Sequence, residues 1–570
     1  MKVTRLKSMC LTGLRSLVLT CAILWIYTPV LDGEFLWDDI SLITNNWMIQ
    51  AGSLDSLAAI WVEPDGVDYF PLTYSVLWIE SITFGSDPFG YHLINVLFHL
   101  SSCFLIWIVL NHLNIPGAWM SAFVFGTHPV CVESVAWISE VKNTLSLPLF
   151  LLTCFFWIKH EELSSKKLVN RYYVLALMMF TAAMLAKPVM VATPFLTILY
   201  AWWKRGVVSH RTFYQSAPLF LIAFVLGLIT LSFQWERGIG DYVLPIGGIA
   251  SRFAVAGMAV VFYLFKVFWP LDLMPMYPQW SIQPLYFWQF LPWLGIFTIG
   301  SFMWMNRGGW GQHALFAVGF FLLMVSPVLG FLDFSFMFIS WVSDHFLYVP
   351  MIGLIVGTLA ASVTFFRSQQ LPIQFVGKAL IFCVICVNIL MSHSYAEHWK
   401  SAKALWTYTL SKNDTAWQAH LAIGGMEFEE GKVHSALEHL ERAGELKPDD
   451  FRVQLGLATA LLDNGNPQRA ADILERISQI YSSNARLMEV LVTSWVQSGQ
   501  FTKAIRVTGE MLEANPARSS MRLQRARALQ KNGDIELAKE EYGVLLEIDK
   551  ENREAQEGLA EALLLEKEHD

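Results

Sequence analysis

Leu219-Phe220-Leu221-Ile222-Ala223-Phe224-Val225-Leu226-Gly227-Leu228-Ile229-Thr230-Leu231-Ser232-Phe233 carries no ionisable side chain along its whole length. Such a run approaches the roughly 20 apolar residues that a helix needs to cross a bilayer. Leu315 to Gly330 is a second one. Across the 570 residues, 54% are hydrophobic and only 15% charged, against about 25% charge in a soluble domain. The charge is unevenly spread: residues 1–395 are apolar, and the chain from Glu397 onward is polar and helix-prone. The pattern predicts an all-α protein, a polytopic transmembrane helical bundle followed by a soluble tail.

About 11–12 hydrophobic segments are expected, centred on 12–31, 91–110, 117–127, 144–158, 172–186, 188–203, 216–234, 253–270, 287–305, 313–330, 348–365 and 376–393. Lys187-Pro188 separates two of them, since proline breaks the helical ladder and a lysine at a break needs protein or water around it. Lys2, Arg5 and Lys7 precede the first segment, which reads as a retained signal-anchor with its basic end in the cytoplasm. Lys166, Lys167, Arg171, Lys204, Arg205, Arg211, Arg307 and Arg367 also read as cytoplasmic. These marks do not alternate cleanly. Twelve full spans return the tail to the cytoplasm; eleven leave it outside.

The tail has its own arithmetic. Gly431, Gly465, Gly499 and Gly533 recur every 34 residues, as do Ala436, Ala470, Ala504 and Ala538, and Ala402 extends the series backwards. Pro448 and Pro516 close two units; Ser482 and Lys550 stand where prolines would close the others, and Glu427 stands where an aromatic is common. A 34-residue step with glycine in the turn and a small residue where helices touch resembles the tetratricopeptide repeat. The expected organisation is a membrane domain at 1–394 and a repeat solenoid at 395–570, with a half-repeat at 395–416, four repeats at 417–552 and a capping helix at 553–570. The half-repeat follows the last apolar segment without a Gly/Ser linker, so the expectation is a solenoid held at a defined angle to the membrane. Its concave surface suits an extended peptide or partner helix.

Two strings carry the candidate chemistry. Phe35-Leu36-Trp37-Asp38-Asp39 follows the first segment, and His128-Pro129-Val130-Cys131-Val132-Glu133-Ser134-Val135-Ala136-Trp137-Ile138 lies between two apolar runs. Ionisable groups near membrane segments face protein or water and usually carry function. His92, Asn95 and His99 share one stripe of a span, which suits interhelical hydrogen bonding or substrate contact. Further charged candidates at segment ends are Glu133, Lys142, Lys187, Arg237, Asp344 and His345, with His128 beside them. There is no HExxH motif, and Cys383 and Cys386 lie in an apolar span without histidine partners. A divalent ion on Asp38 and Asp39 is the less favoured reading of that pair, and no cofactor is called for. No P-loop or GxGxxG opens a helix. The net charge of −8 offers no basic stripe for nucleic acid. All seven cysteines lie in or beside the apolar segments and none in the tail, which suits a tail in an oxidising compartment.

In order, Phe35 to Asp39, Tyr91-His92-Leu93-Ile94-Asn95, His128-Pro129 to Trp137, and Asp344-His345-Phe346-Leu347-Tyr348-Val349-Pro350, followed by the repeats, resemble the transmembrane and tetratricopeptide-repeat O-mannosyltransferases and their prokaryotic relatives, within the GT-C glycosyltransferases. The resemblance implies a polyprenyl-phosphate-linked sugar donor, inversion at the anomeric carbon and an exterior active site; the sugar and acceptor do not carry over, and the expectation is that the repeats lie on the same exterior side and present a protein acceptor. It also implies an acidic motif on the first exterior loop, which Asp38 and Asp39 match. Either could be the catalytic base. His92, His128, Glu133, Lys142, Lys187, Arg237, Asp344 and His345 are then candidates for contacts to substrate or lipid phosphate. The membrane would be the prokaryotic cell membrane, or the endoplasmic reticulum in a eukaryote. Two alternatives come from other classes: a membrane-anchored scaffold without enzymatic activity, and a lipid-linked-sugar flippase or polysaccharide ligase.

Overall fold

The structure is a computed structural model that describes residues 2–63, 66, 68–163, 166–240, 244–482 and 484–569. The side chains of Lys2, Arg5, Lys7, Lys166 and Lys167, read above as topology marks, lie outside the described residues. The described residues are helical and contain no strand. Among the described residues seven helices are long and apolar enough to cross a membrane: Met9–Ile26, Pro88–His112, Ile138–Glu162, His210–Ile239, Ile249–Phe268, Trp310–Val328 and Leu371–Glu397. The protein is a multi-pass membrane bundle followed by a helical repeat array. The other expected segments are helical too, but shorter or less apolar; Ala118–Gly126 has only nine residues.

Local chemistry sets the breaks. Asp87 caps the helix Pro88–His112 by accepting a hydrogen bond from the Phe89 amide (3.1 Å), with Pro88 in the first turn, where its missing N–H costs nothing. Pro188 breaks the chain as expected: the helix ends at Ala186, Lys187 is extended (φ −153°, ψ 112°), a 3₁₀ turn spans Pro188–Ala192, and Thr193–Arg205 resumes the helix. Close helix contact in the bundle is made by small residues. Gly353 lies against Trp310–Val325 so tightly that a Cβ there would sit 2.6 Å from the Ala317 carbonyl oxygen. Gly357, one turn on, would place its Cβ 2.6 Å from the Ala317 Cβ.

The chain divides into two compact units, Met1–Asn413 and Asp414–Asp570. The boundary differs from the one expected at 394. The helix Ala402–Lys412, read as a leading half-repeat, packs within the first unit instead: Tyr408 Oη donates to the Leu273 carbonyl (2.7 Å) and Lys412 pairs with Asp272 (2.6 Å). Its amphipathic sequence fits either setting, and these partners decide. Among its described residues the second unit contains four helix pairs between Trp417 and Ile548, followed by Arg553–His569. Gly431, Gly465, Gly499 and Gly533 all take positive φ (76°, 76°, 80° and 93°), the conformation that glycine adopts without a Cβ clash. Ala436, Ala470, Ala504 and Ala538 are fully buried at the helix contacts. Glu427, where an aromatic is common, accepts a hydrogen bond from Ser435 (2.6 Å) across its own helix pair.

Candidate functional site

Leu36 to Asp39 forms a tight turn. The Asp39 amide donates to the Leu36 carbonyl (2.8 Å), and the Leu36 amide donates back to Asp39 Oδ2 (2.8 Å). Asp39 Oδ1 accepts from the Ser139 amide (2.7 Å) and from the Ser139 hydroxyl. Asp39 is fully buried, and burial pushes its carboxyl up to about 7 against the pull of those donors. It therefore fastens the first loop to the second string. Asp38 is half-buried, and its charge is felt at Lys142 and Tyr74. The two carboxylates, equivalent in sequence, occupy different environments.

Lys142 lies in the first turn of the helix Val141–Glu162, and its Nζ is 2.8 Å from Glu140 Oε1 and 5.8 Å from the centre of the Trp137 ring. The break at Pro188 delivers Lys187 to the same place. Its buried Nζ donates to Asn143 Oδ1 (2.7 Å) and lies 3.4 Å from Glu140 Oε2. A carboxylate between two ammonium groups offsets part of the cost of burying all three. Asn143 also donates to Ser134 Oγ (3.1 Å) and to the His345 carbonyl (3.1 Å). A small cavity opens between Asn143, Lys187, His345, Phe346 and Val349.

A second buried cluster closes one side of that cavity. His345 Nδ1 lies 2.6 Å from Glu133 Oε1, and Ser343 Oγ donates to the same oxygen (2.9 Å). Burial pushes Glu133 up, the neighbouring Asp344 adds to it, and burial takes His345 down to about 3. The pair is thus biased to its neutral form. Asp344 accepts both hydrogen bonds of a bifurcated contact from Tyr277 Oη (2.9 and 3.1 Å), and burial pushes it up to about 7.

Asp38, Glu133, Lys142, Lys187, Asp344 and His345 therefore belong to one polar centre. Arg237 reaches its margin, donating to the Gly66 carbonyl (3.3 Å) two residues before Asp68, with its guanidinium over Phe233 (4.8 Å). The other two candidates, His92 and His128, are buried among neighbouring elements. His128 Nε2 bonds the Val267 carbonyl (3.0 Å) while its Nδ1 accepts from the Val130 amide (3.3 Å), which fixes the proton on Nε2; burial takes it down to about 4. His92 is fully buried against Gly33. On the same stripe, Asn95 donates to the Trp137 carbonyl (3.1 Å), and His99 joins Tyr348 Oη (2.8 Å) to the Gly126 carbonyl (3.1 Å). Among the described residues no group of three or more His, Cys, Asp or Glu is arranged to hold a metal ion.

Sequence reasoning missed Glu140, Asn143 and Asp68. Glu140 and Asn143 are one helical turn apart and flank Lys142 in Ser139-Glu140-Val141-Lys142-Asn143, a signal that was available. Asp68 accepts from Gln234 Nε2 and is electrostatically coupled to Lys142 and Lys187.

Two stretches of the tail, 427–487 and 523–570, match models of the tetratricopeptide repeat. Among curated proteins the chain is similar to Protein O-mannosyl-transferase F38B6.6 of Caenorhabditis elegans, 25% identical over 172 residues that cover 27% of this chain and 24% of that protein. It is similar to Protein O-mannosyl-transferase TMTC4 of Homo sapiens, 26% identical over 185 residues, 27% of this chain and 25% of that one. The mouse Protein O-mannosyl-transferase TMTC1 is 30% identical over 142 residues, 22% of this chain and 15% of that one. The chain thus spans a quarter or less of the length of these relatives. Among solved structures, ArnT from Cupriavidus metallidurans aligns in its apo state with TM-score 0.37 and 14% identity, over 82% of this chain and 81% of that one. The same protein bound to undecaprenyl phosphate aligns with TM-score 0.35 and 13% identity, over the same shares. The chain is a tetratricopeptide-repeat membrane protein similar, over the matched part, to the protein O-mannosyl-transferases.

Proposed function

We propose that the protein is a membrane glycosyltransferase that moves a sugar from a polyprenyl-phosphate-linked donor to a hydroxyl on a protein, with Asp38 as general base. The observation that carries this reading is the unequal setting of the acidic pair. Asp39 is fully buried and bonded to Leu36 and Ser139, whereas Asp38 is half-buried and carries its charge towards Lys142, in a centre that also contains Lys187. The names of the relatives agree with it, as does the bundle's membrane character.

In this reading the acceptor O–H gives its proton to the Asp38 carboxylate as its oxygen attacks the anomeric carbon. The bond from that carbon to the phosphate oxygen breaks, and its electron pair stays on the lipid phosphate. Direct attack inverts the anomeric centre. A positioned base contributes about 10²–10⁴-fold. Lys187 and Lys142, held in place by Glu140 and Asn143, offset the charge that grows on the leaving phosphate, and preorganised cations act most strongly where water is excluded. Arg237 lies at the margin, where it would meet the donor's phosphate first.

The acceptor arrives from the side of the membrane that carries Asp38. Support comes from where the first unit ends: the helix Ala402–Lys412 lies against Trp37, with ring centres of Trp37 and Trp406 5.2 Å apart, and the repeats begin directly after Asn413.

The test is transfer of mannose from a polyprenyl-phosphate mannose to a Ser/Thr-bearing protein by the purified enzyme. Asp38→Asn should lower turnover by about 10²-fold or more while the protein still inserts and folds. Wild-type turnover in Asp38→Asn would remove Asp38 as the base, whereas absence of transfer by the wild-type protein would make a non-enzymatic scaffold the better account.

A further inference from the structure

Trp37, the residue before Asp38, has φ 51°, a backbone conformation that a bulky side chain adopts only when its surroundings hold it there. Two indoles do the holding. Trp37 stacks on Trp137 (ring centres 4.7 Å apart, planes 8° apart), and Trp406 meets it edge-on (5.2 Å, 66°). Trp137 also packs against Trp399 (6.0 Å). Trp137, Trp399 and Trp406 are buried. The backbone is tied at the same place: the Glu34 amide donates to the Lys400 carbonyl (3.0 Å), and the Ala402 amide donates to Glu34 Oε2 (3.3 Å). Ser401 caps the helix that carries Trp406 by accepting from the Ala404 amide (3.3 Å). That helix is anchored at its far end by Tyr408 on Leu273, Lys412 on Asp272 and Asn413 on the Met276 carbonyl (3.0 Å).

The acid loop is thus held from two directions. Asp39 pins it to Ser139 from within the bundle, and the segment Lys400–Asn413, the last part of the chain before the repeats, closes over it. We propose that Trp406 is a positioning residue for the acid loop: by pressing Trp37 onto Trp137 it fixes the strained backbone from which the Asp38 side chain projects. The proposal rests on the reading of Asp38 as the base, and it makes Lys400–Asn413 part of the catalytic apparatus in place of a linker. A base has to lie within hydrogen-bond reach of the acceptor hydroxyl, so loosening its backbone lowers turnover without removing any group that touches the donor.

Backbone hydrogen exchange of the full-length protein in lipid nanodiscs reads the clamp without reference to activity. The amides of Asp39, Ile40 and Asn45, bonded to the carbonyls of Leu36, Trp37 and Ile40, report on the loop. Trp406→Ala should speed exchange over 33–45 by about 10-fold or more and leave Pro88–His112 at the wild-type rate. Mannose transfer should fall by at least about 10-fold through kcat, with binding of undecaprenyl phosphate unchanged. Trp406→Phe, which restores an aromatic edge, should return both readouts towards wild type, and Trp406→Leu serves if the alanine variant does not fold. Unchanged exchange over 33–45 in the alanine or leucine variant overturns the proposal. So does a rise spread equally over Pro88–His112, which would make Trp406 a general packing residue. Faster loop exchange with full transfer activity overturns it as well. Normal transfer by Asp38→Asn, by contrast, would remove the base assignment while the exchange result for Trp406 stood.

Discussion

Glu133 and His345, 212 residues apart in the chain, meet with Oε1 2.6 Å from Nδ1 in a fully enclosed setting. The contact fastens the short helix Cys131–Ala136 to the turn at Asp344–Phe346, and so builds one wall of the cavity beside Lys187. Burial raises Glu133 and lowers His345, so at neutral pH a carboxyl group donating to a neutral imidazole suits the site better than an ion pair.

A substitution that keeps a donor should then be tolerated. Glu133→Gln retains an N–H for His345, whereas Glu133→Ala removes the partner that the imidazole and Ser343 share and leaves them only their contact with each other (2.8 Å). A buried polar group that loses its partner costs about 1–3 kcal/mol. Thermal unfolding in detergent should show a clear loss for the alanine variant and a markedly smaller one for glutamine. Equal losses would mean that the charged form of Glu133 is what the site needs.

The second expectation concerns pH. Burial raises the folded-state carboxyl of Asp39 from an ordinary value of 3.8 to about 7. The folded state therefore holds a proton that the unfolded chain has released. The stability linked to that proton is fully present below about pH 4 and is lost as pH rises through about 7, above which it is flat. Asp39→Asn cannot titrate. The melting temperature of the wild type relative to Asp39→Asn should therefore fall between about pH 4 and 7 and level off above. A difference that grows over that window would show that the three hydrogen bonds donated to the Asp39 carboxylate outweigh its burial.

The cations divide into two groups. Lys187 is buried against Asn143 and Glu140, while Arg307 is exposed at a helix end with its guanidinium over Trp304 (4.7 Å). Lys187→Met should lower kcat for mannose transfer by about 10²-fold, the scale of losing one preorganised charge-stabilising group. Arg307→Met should leave kcat within about 2-fold, because an exposed charge far from the reacting phosphate is screened by water and salt. Similar losses in both variants would dismiss the polar centre as the site of phosphate departure.

What could be read in the sequence was written locally. The repeats announced themselves because the positive φ of Gly431 and its successors, and the helix contact at Ala436 and its successors, each demand one residue type at a fixed step. Lys187-Pro188 was legible for the same reason: the ring of Pro188 acts on the turn just before it. The distinction between Asp38 and Asp39 was not legible, since it depends on Ser139, 100 residues away. Glu140 escaped notice because its second cation, Lys187, lies 47 residues downstream. The short helices between Trp47 and Phe84 interrupt a stretch rich in turn residues and carry no strong period, yet they place Tyr74 near Asp38. The Ala402–Lys412 helix misled because the small residue at 402 continues the repeat spacing, while long-range partners at Trp37 and Asp272 assign it to the first unit.

The last expectation concerns the side of the membrane on which the repeats lie. The first unit ends with Asn413 bonded to the Met276 carbonyl, on a segment whose Trp406 touches Trp37 beside the acid loop. The proposal that the repeats present the acceptor requires them to lie in the compartment that Asp38 faces, because a solenoid across about 30 Å of hydrocarbon could not deliver an acceptor to it. The tail has no native cysteine, so a single one at exposed Ala517 gives a clean reporter. Cells carrying Ala517→Cys should label on the tail with a membrane-impermeant maleimide, in whole cells if Asp38 faces the cell exterior, or only after permeabilisation of sealed, natively oriented vesicles if it faces a lumen. An exposed cysteine at Leu371, at the start of the last apolar helix and the opposite end from Glu397, should label from the other side. If Ala517→Cys and Leu371→Cys label from the same side, the last helix does not cross the membrane and the repeats lose their route to the acceptor hydroxyl.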